Sequence, residues 1–137
     1  MNKCIFCKIG KKELPSSIIY EDDDMLAFLD INPINIGHTL VMPKEHYENV
    51  YDTPDEVLQK LIVLIKNLSV SVKKALNADG INIGINNELS AGQIIPHTHI
   101  HIIPRFKDDG LLHWKGARGY NEGEMKEVAE KIKNIRF

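Results

Sequence analysis

Residues 97–105 read HTHIHIIPR, a run in which histidine takes every second position of an otherwise mostly apolar, β-branched stretch. Such alternation predicts a strand that turns His97, His99 and His101 to one face and Thr98, Ile100 and Ile102 to the other. The isoleucine face belongs to a core, and the imidazoles line the opposite face at Cα spacings of about 6.5–7 Å. Two neighbouring rings could share an ion at zinc–nitrogen bonds of about 2 Å. His97 and His101, roughly 13 Å apart, cannot join His99 on one metal. A three-histidine metal site on this strand is therefore excluded.

Nucleophilic catalysis suits the pattern better. Neutral imidazole is one of the few side chains both uncharged and nucleophilic near neutral pH. It needs one neighbour to fix its tautomer and others to stabilise charge on the group it attacks. The row of histidines supplies residue types for all three roles. Upstream, Gly92 would let backbone N–H groups approach an anion, and Gln93 adds a neutral donor. A solvated strand face that happens to carry histidine is the bland alternative.

The rest of the chain fits a soluble enzyme. At 137 residues, with 26% charged and 43% hydrophobic residues, residues 1–137 are expected to form one domain without covalent staples. The net charge is −2 and the cations are interspersed with acids, which argues against a nucleic-acid polymer as partner. The N-terminal MNKCIFCKIGKK lacks the apolar core of a signal peptide, and no stretch is long enough to cross a bilayer. The expected location is the cytoplasm, with no membrane partner. In such a reducing compartment the CxxC pair Cys4 and Cys7 points to metal or redox chemistry before a structural disulfide.

Two segments carry a helical period. Over 54–77, Leu58, Leu61, Ile62, Ile65, Leu68, Val72, Ala75 and Leu76 gather on one face. Thr53 is the expected N-cap, with Pro54 at the first helical position, Glu56 completing a capping box and Gly80 just past the end. A second helix is expected from about Asn121, burying Met125, Val128, Ala129, Ile132 and Ile135. Lys131, Lys133 and Arg136 lie late in it, where they suit its dipole. Strand-like runs cover 17–21, 25–30, 37–43, 81–86 and 97–104. Short connections between strands favour an α+β fold: a five-stranded, mostly antiparallel sheet with one long and one C-terminal helix.

HTHIHII resembles the signature of the histidine triad (HIT) superfamily, and the resemblance covers nearly the whole chain. It extends through CIFCKIGKKELPSSIIYEDD, AFLDINPINIGHTLVMPKEH and INIGINNELSAGQIIPHTHIHIIPR, most closely in the manner of prokaryotic Hint-like members with an N-terminal CxxC. The resemblance implies a HIT-like fold. It also implies a hydrolase or transferase acting at the α-phosphate of nucleoside phosphate derivatives, such as adenosine phosphoramidates or nucleotidylated amines. His99 would be the nucleophile that forms a covalent nucleotidyl-histidine, supported by His97 in part through its backbone carbonyl. His101 and Gln93 would contact phosphoryl oxygens, and His38 would complete the histidine cluster. Asp30 would hold the ribose hydroxyls, with Phe6, Ile9, Leu14, Phe28 and Ile31 lining a purine pocket and Asn86 near sugar and phosphate. Gly92 belongs to the same phosphate side.

Cys4, Cys7, His46 and His97 match the set that binds structural Zn2+ in related superfamily members, while no catalytic metal is expected. A homodimer and a purine nucleotide or nucleotide conjugate are the implied partners. One departure stands out. Hint relatives often carry a hydroxyl residue where this chain has Ile94, and isoleucine can neither donate to phosphate nor help protonate a leaving group. A dinucleoside polyphosphate hydrolase with the same intermediate is therefore the close alternative, and a nucleotide-binding regulatory protein the rival of another class. His113 and Trp114 have no assigned role.

Overall fold

The computed structural model describes residues 3–135. Its elements are α1 (Ile5–Gly10), β1 (Ile18–Glu21), β2 (Met25–Leu29), β3 (Thr39–Pro43), α2 (Asp55–Leu76), β4 (Gly80–Gly84), a 3-10 turn (Leu89–Ala91), β5 (Ile100–Arg105) and α3 (Glu124–Asn134). The five strands form one sheet in the order β1-β2-β3-β5-β4, every neighbouring pair antiparallel. The architecture is the expected α+β sheet with one long and one C-terminal helix. Among the described residues, no helix is long and apolar enough to cross a membrane.

Strand alternation divides the core into two. On one face, Met25, Ala27, Val41, Ile100 and Ile102 meet Leu61, Ile65, Leu68 and Val72 of α2. Leu61, Ile65 and Ile102 are wholly buried, each contributing about 1.5–3 kcal/mol through removal from water. On the other face, Leu26, Phe28, Leu40 and Met42 pack with Phe6 of α1. Register aligns the second face into a row across the sheet, because Phe28 opposes Leu40, Leu40 opposes His101, and His101 opposes Gly84. That row carries the site.

Several local expectations are corrected by long-range contacts. Thr53 does not cap α2: its hydroxyl donates to the Asn49 carbonyl and pairs with Thr98 Oγ1 at 2.8 Å, while Pro54 occupies the cap position. The same pair explains a threonine at 98, since its buried hydroxyl has a buried partner. Asn77, in the left-handed conformation, ends α2, whereas Gly80 opens β4. Ile62 is 54% exposed and so lies off the buried stripe of α2. The stripe expected to be buried on α3 is not, and Met125, Ile132 and Ile135 face solvent. Arg136 lies outside the described residues.

Candidate active site

β5 begins at Ile100, so His97 and His99 stand just before the strand rather than on it. Departure from strict alternation there lets the three rings diverge. His99 and His101 stay adjacent, with centroids 4.9 Å apart, whereas His97 turns into the protein and is fully buried. Its ring sits against Phe6 and His46 instead of continuing an open row.

Hydrogen-bond partners assign each tautomer. His99 Nδ1 lies 2.6 Å from the carbonyl oxygen of His97. A carbonyl only accepts, so Nδ1 carries the proton and Nε2 holds the lone pair. Among the described residues that Nε2 has no hydrogen-bond partner, and the residue as a whole is 7% exposed. Burial pushes the His99 imidazole below its ordinary value, opposed by the His97 carbonyl and the charge of Asp30, which keeps the ring neutral and nucleophilic.

A second chain runs through His38. The Ile34 N–H donates to His38 Nδ1 at 3.0 Å, so His38 carries its proton on Nε2 and donates to His101 Nδ1 at 2.8 Å. His101 therefore keeps its proton on Nε2, as a neutral donor beside His99. Burial, reinforced by His99 and His38, lowers His101 to about 4. Burial also lowers His38, partly offset by Asp30. Asp30, the residue after β2, accepts from the Asn32 N–H at 2.8 Å and places its other oxygen 3.8 Å from His38 Nε2. Asp30, His38 and His101 converge closely enough to hold an ion. The backbone donor on His38 Nδ1, however, commits Nε2 to carrying a proton, and a protonated nitrogen is not a ligand. This trio does not fit a metal as it stands.

The other cluster does. Ligand atoms of Cys4, Cys7, His46 and His97 all lie within 4.8 Å of one another. His97 Nε2 donates to the Pro43 carbonyl at 2.7 Å, leaving the Nδ1 lone pair 3.5 Å from both Cys4 Sγ and Cys7 Sγ. His46 Nδ1 is 3.4 Å from Cys7 Sγ. Bonds of about 2.3 Å to sulfur and 2.0–2.1 Å to nitrogen give a tetrahedral edge of roughly 3.6 Å, so the thiols and rings already stand near metal-ligand spacing. The Pro43 carbonyl is the outer partner that fixes a ligating ring. Cys4 is also the N-cap of α1, its Sγ accepting from the Cys7 N–H, which fixes both thiols on one turn.

Around the histidines, Phe6 and Phe28 are buried and pack edge to face at 5.5 Å, with Ile9 against them. Leu14 is partly exposed and Ile31 is 91% exposed, so these two sit at a rim rather than in a lining. Gln93 departs from the expected role. Its Nε2 donates to the carbonyls of Glu48 and Ile95 and its Oε1 accepts from the Glu88 N–H, so it braces the 88–95 loop instead of offering a donor to phosphate. Gly92 takes φ +93° at the end of the 3-10 turn, close to Asn86. Asn86 lines a cavity together with His101. Sequence reasoning missed the part played by the Ile34 N–H, which no side-chain pattern reports.

Comparison with known proteins agrees with this geometry. The sequence model of the HIT domain matches residues 11–108. An uncharacterized HIT-like protein of Methanocaldococcus jannaschii is 53% identical over 95% of this chain and 98% of its own length. An adenylylsulfatase of Arabidopsis thaliana is 39% identical over 98% of this chain and 68% of its own. Among solved structures, a HIT family protein from Bacillus subtilis superposes with a TM-score of 0.90 at 35% identity, covering 99% of both chains.

Proposed function

Because the chain belongs to the HIT domain family, we propose that it hydrolyses nucleoside phosphate derivatives at the α-phosphate through a covalent nucleotidyl-His99. The leading substrates are adenosine phosphoramidates or nucleotidylated amines. One observation carries this reading: the His97 carbonyl holds the proton of His99 on Nδ1 and leaves the Nε2 lone pair without a partner among the described residues.

Nε2 attacks the α-phosphorus, a bond forms from nitrogen to phosphorus, and the bond to the leaving group breaks, the leaving nitrogen taking a proton from solvent water to depart as a neutral amine. The resulting cationic ring is stabilised by its Nδ1–H on the His97 carbonyl. His101 donates its Nε2–H to a phosphoryl oxygen, oriented by the chain from Ile34 through His38. Water then attacks phosphorus and gives up a proton to solvent, the nitrogen–phosphorus bond breaks, and the nucleoside monophosphate leaves with His99 restored as neutral imidazole. Phe6 and Phe28 face the purine, and Asp30, already near His38, takes the ribose hydroxyls.

Cys4, Cys7, His46 and His97 would hold a structural Zn2+, which when bound ties α1 to the segment carrying the nucleophile. A homodimer fits the apolar surface left on α2 at Ile62 and Val63 and along α3. A second reading, with a sulfate or phosphate leaving group and the same intermediate, is favoured by the name of the Arabidopsis relative. Incubation with an adenosine phosphoramidate, rapid quench and peptide mapping should place AMP on His99. Unchanged turnover in His99→Ala would overturn the mechanism.

A further inference from the structure

The segment 31–37 that precedes His38 has little apolar anchorage, since Ile31, Ile34 and Ile36 are exposed, as are Asn32 and Pro33. Yet it supplies the Ile34 N–H that fixes the His38 tautomer, and its Asn35 carbonyl accepts the His38 N–H at 3.0 Å. Asn35, half-buried, fastens this segment to the end of β5. Its Nδ2 donates to the Pro104 carbonyl at 3.1 Å and to Asp109 Oδ2 at 3.3 Å, while its Oδ1 accepts from the Ile36 N–H at 3.2 Å. Both distant partners only accept, so the amide has one orientation and spends both N–H groups on them.

Asp109 is a rigid counterpart. Besides Asn35 it accepts from Arg105 Nε and Nη2 at 2.8 and 3.0 Å, and from the Phe106 and Leu111 N–H groups, each at 3.0 Å. The Arg105 guanidinium, joined by those two backbone donors, holds the carboxyl well below the usual carboxylate range, so it is a charged acceptor throughout the neutral range. Arg105 belongs to β5, the strand that carries His101. A closed circuit results: His101 to His38, His38 to the Ile34 N–H, along the chain to Asn35, and through Asp109 and Arg105 back to β5.

We propose that Asn35 is a positioning residue for His101: by tying residues 31–37 to Pro104 and Asp109, it sets the Ile34 N–H against His38 Nδ1 and thereby keeps the protons of His38 and His101 on Nε2. Without that tie the Ile34 N–H leaves Nδ1, and His38 can move its proton there. His38 Nε2 is then a lone pair, which draws the His101 proton to Nδ1. His101 Nε2, now an acceptor too, faces a phosphoryl oxygen with a lone pair and repels it instead of stabilising its charge. This catalytic consequence rests on the nucleotidyl-His99 reading; the tautomers themselves do not.

The test compares the full chain with its Asn35→Ala and Asn35→Asp variants. Long-range proton–nitrogen correlation NMR of the histidine rings should show the His38 and His101 protons on Nε2 in the wild type and a substantial share on Nδ1 in Asn35→Ala, with signals assigned by their loss in His38→Gln and His101→Gln. Single-turnover labelling of His99 by an adenosine phosphoramidate should slow by about tenfold or more in Asn35→Ala, with AMP affinity within about twofold of wild type. Asn35→Asp keeps the side-chain volume but sets a carboxylate against Asp109 near neutral pH, so it should show the same redistribution even where Asn35→Ala fails to fold. Ile36→Ala, which trims an exposed side chain of the same segment, should change neither readout. Wild-type tautomers in a folded Asn35 variant, or a wild-type labelling rate despite altered tautomers, overturn the role of Asn35 and leave the nucleotidyl-His99 reading standing. Absence of AMP on His99 in the wild type overturns both.

Discussion

The ring of Phe6 stands edge-on to that of His99, centroids 5.0 Å apart and planes at 89°. Phe6 lies inside the CxxC turn, so the element carrying two thiols also supplies an aromatic wall for the candidate nucleophile.

Phe6→Leu keeps an apolar side chain but removes that contact. An aromatic pair is worth about 0.5–1.5 kcal/mol beyond its area, so single-turnover labelling of His99 should slow by about 3- to 10-fold. The His99 ring protons should also lose their ring-current shift in the NMR spectrum. Wild-type labelling rates together with unshifted resonances would show that Phe6 does not position the ring.

His101 makes stability depend on pH. Its unfolded ring protonates near about 6.5, the folded one only near about 4. Between these values the unfolded chain binds more protons, so stability is full above about 6.5 and is lost as pH falls toward 4, by up to about 3 kcal/mol from this residue. Urea titrations at a series of pH values should show a shallower decline for His101→Gln. Equal slopes in both proteins would refute the assignment.

Metal removal should destabilise. Chelation of the purified protein should lower Tm by about 5–10 °C, corresponding to roughly 2 kcal/mol or more. Cys7→Ser should already show that loss, with no further response to chelator and with reduced zinc by elemental analysis. A wild-type protein without zinc and indifferent to chelator would remove the cluster from the account.

Gly37 takes φ +86°, and a Cβ there would fall 2.1 Å from Leu76 Cδ1 and 3.2 Å from Pro104 Cγ. Gly37→Ala therefore combines backbone strain with a clash and should cost about 1–3 kcal/mol in chemical denaturation. The neighbouring His38 should shift with it, weakening its contact with His101.

Much of this was legible in the chain. Alternation in HTHIHIIPR located β5 and the two faces of residues 100–105 but not the inward turn of His97 before the strand, and the period of 58–76 located α2. Six-residue α1 escaped because so short a helix carries too little periodicity and depends on its surroundings. Thr53 and Gln93 misled for a shared reason. Each has a textually plausible local role, yet its partner lies 45 residues away, Thr98 in one case and the Glu48 carbonyl in the other. The stripe on α3 revealed a helix correctly but could not report whether anything within the chain would cover it.

His97 meets the thiols with its ring and His99 with its main chain. These two attachments differ in their exposure to mutation. A codon change can erase the imidazole, but every amino acid brings the same carbonyl, so the grip on the candidate nucleophile can be displaced yet never deleted. Lineages that lose the thiol cluster could thus abandon this imidazole while inheriting the tautomer of its neighbour intact.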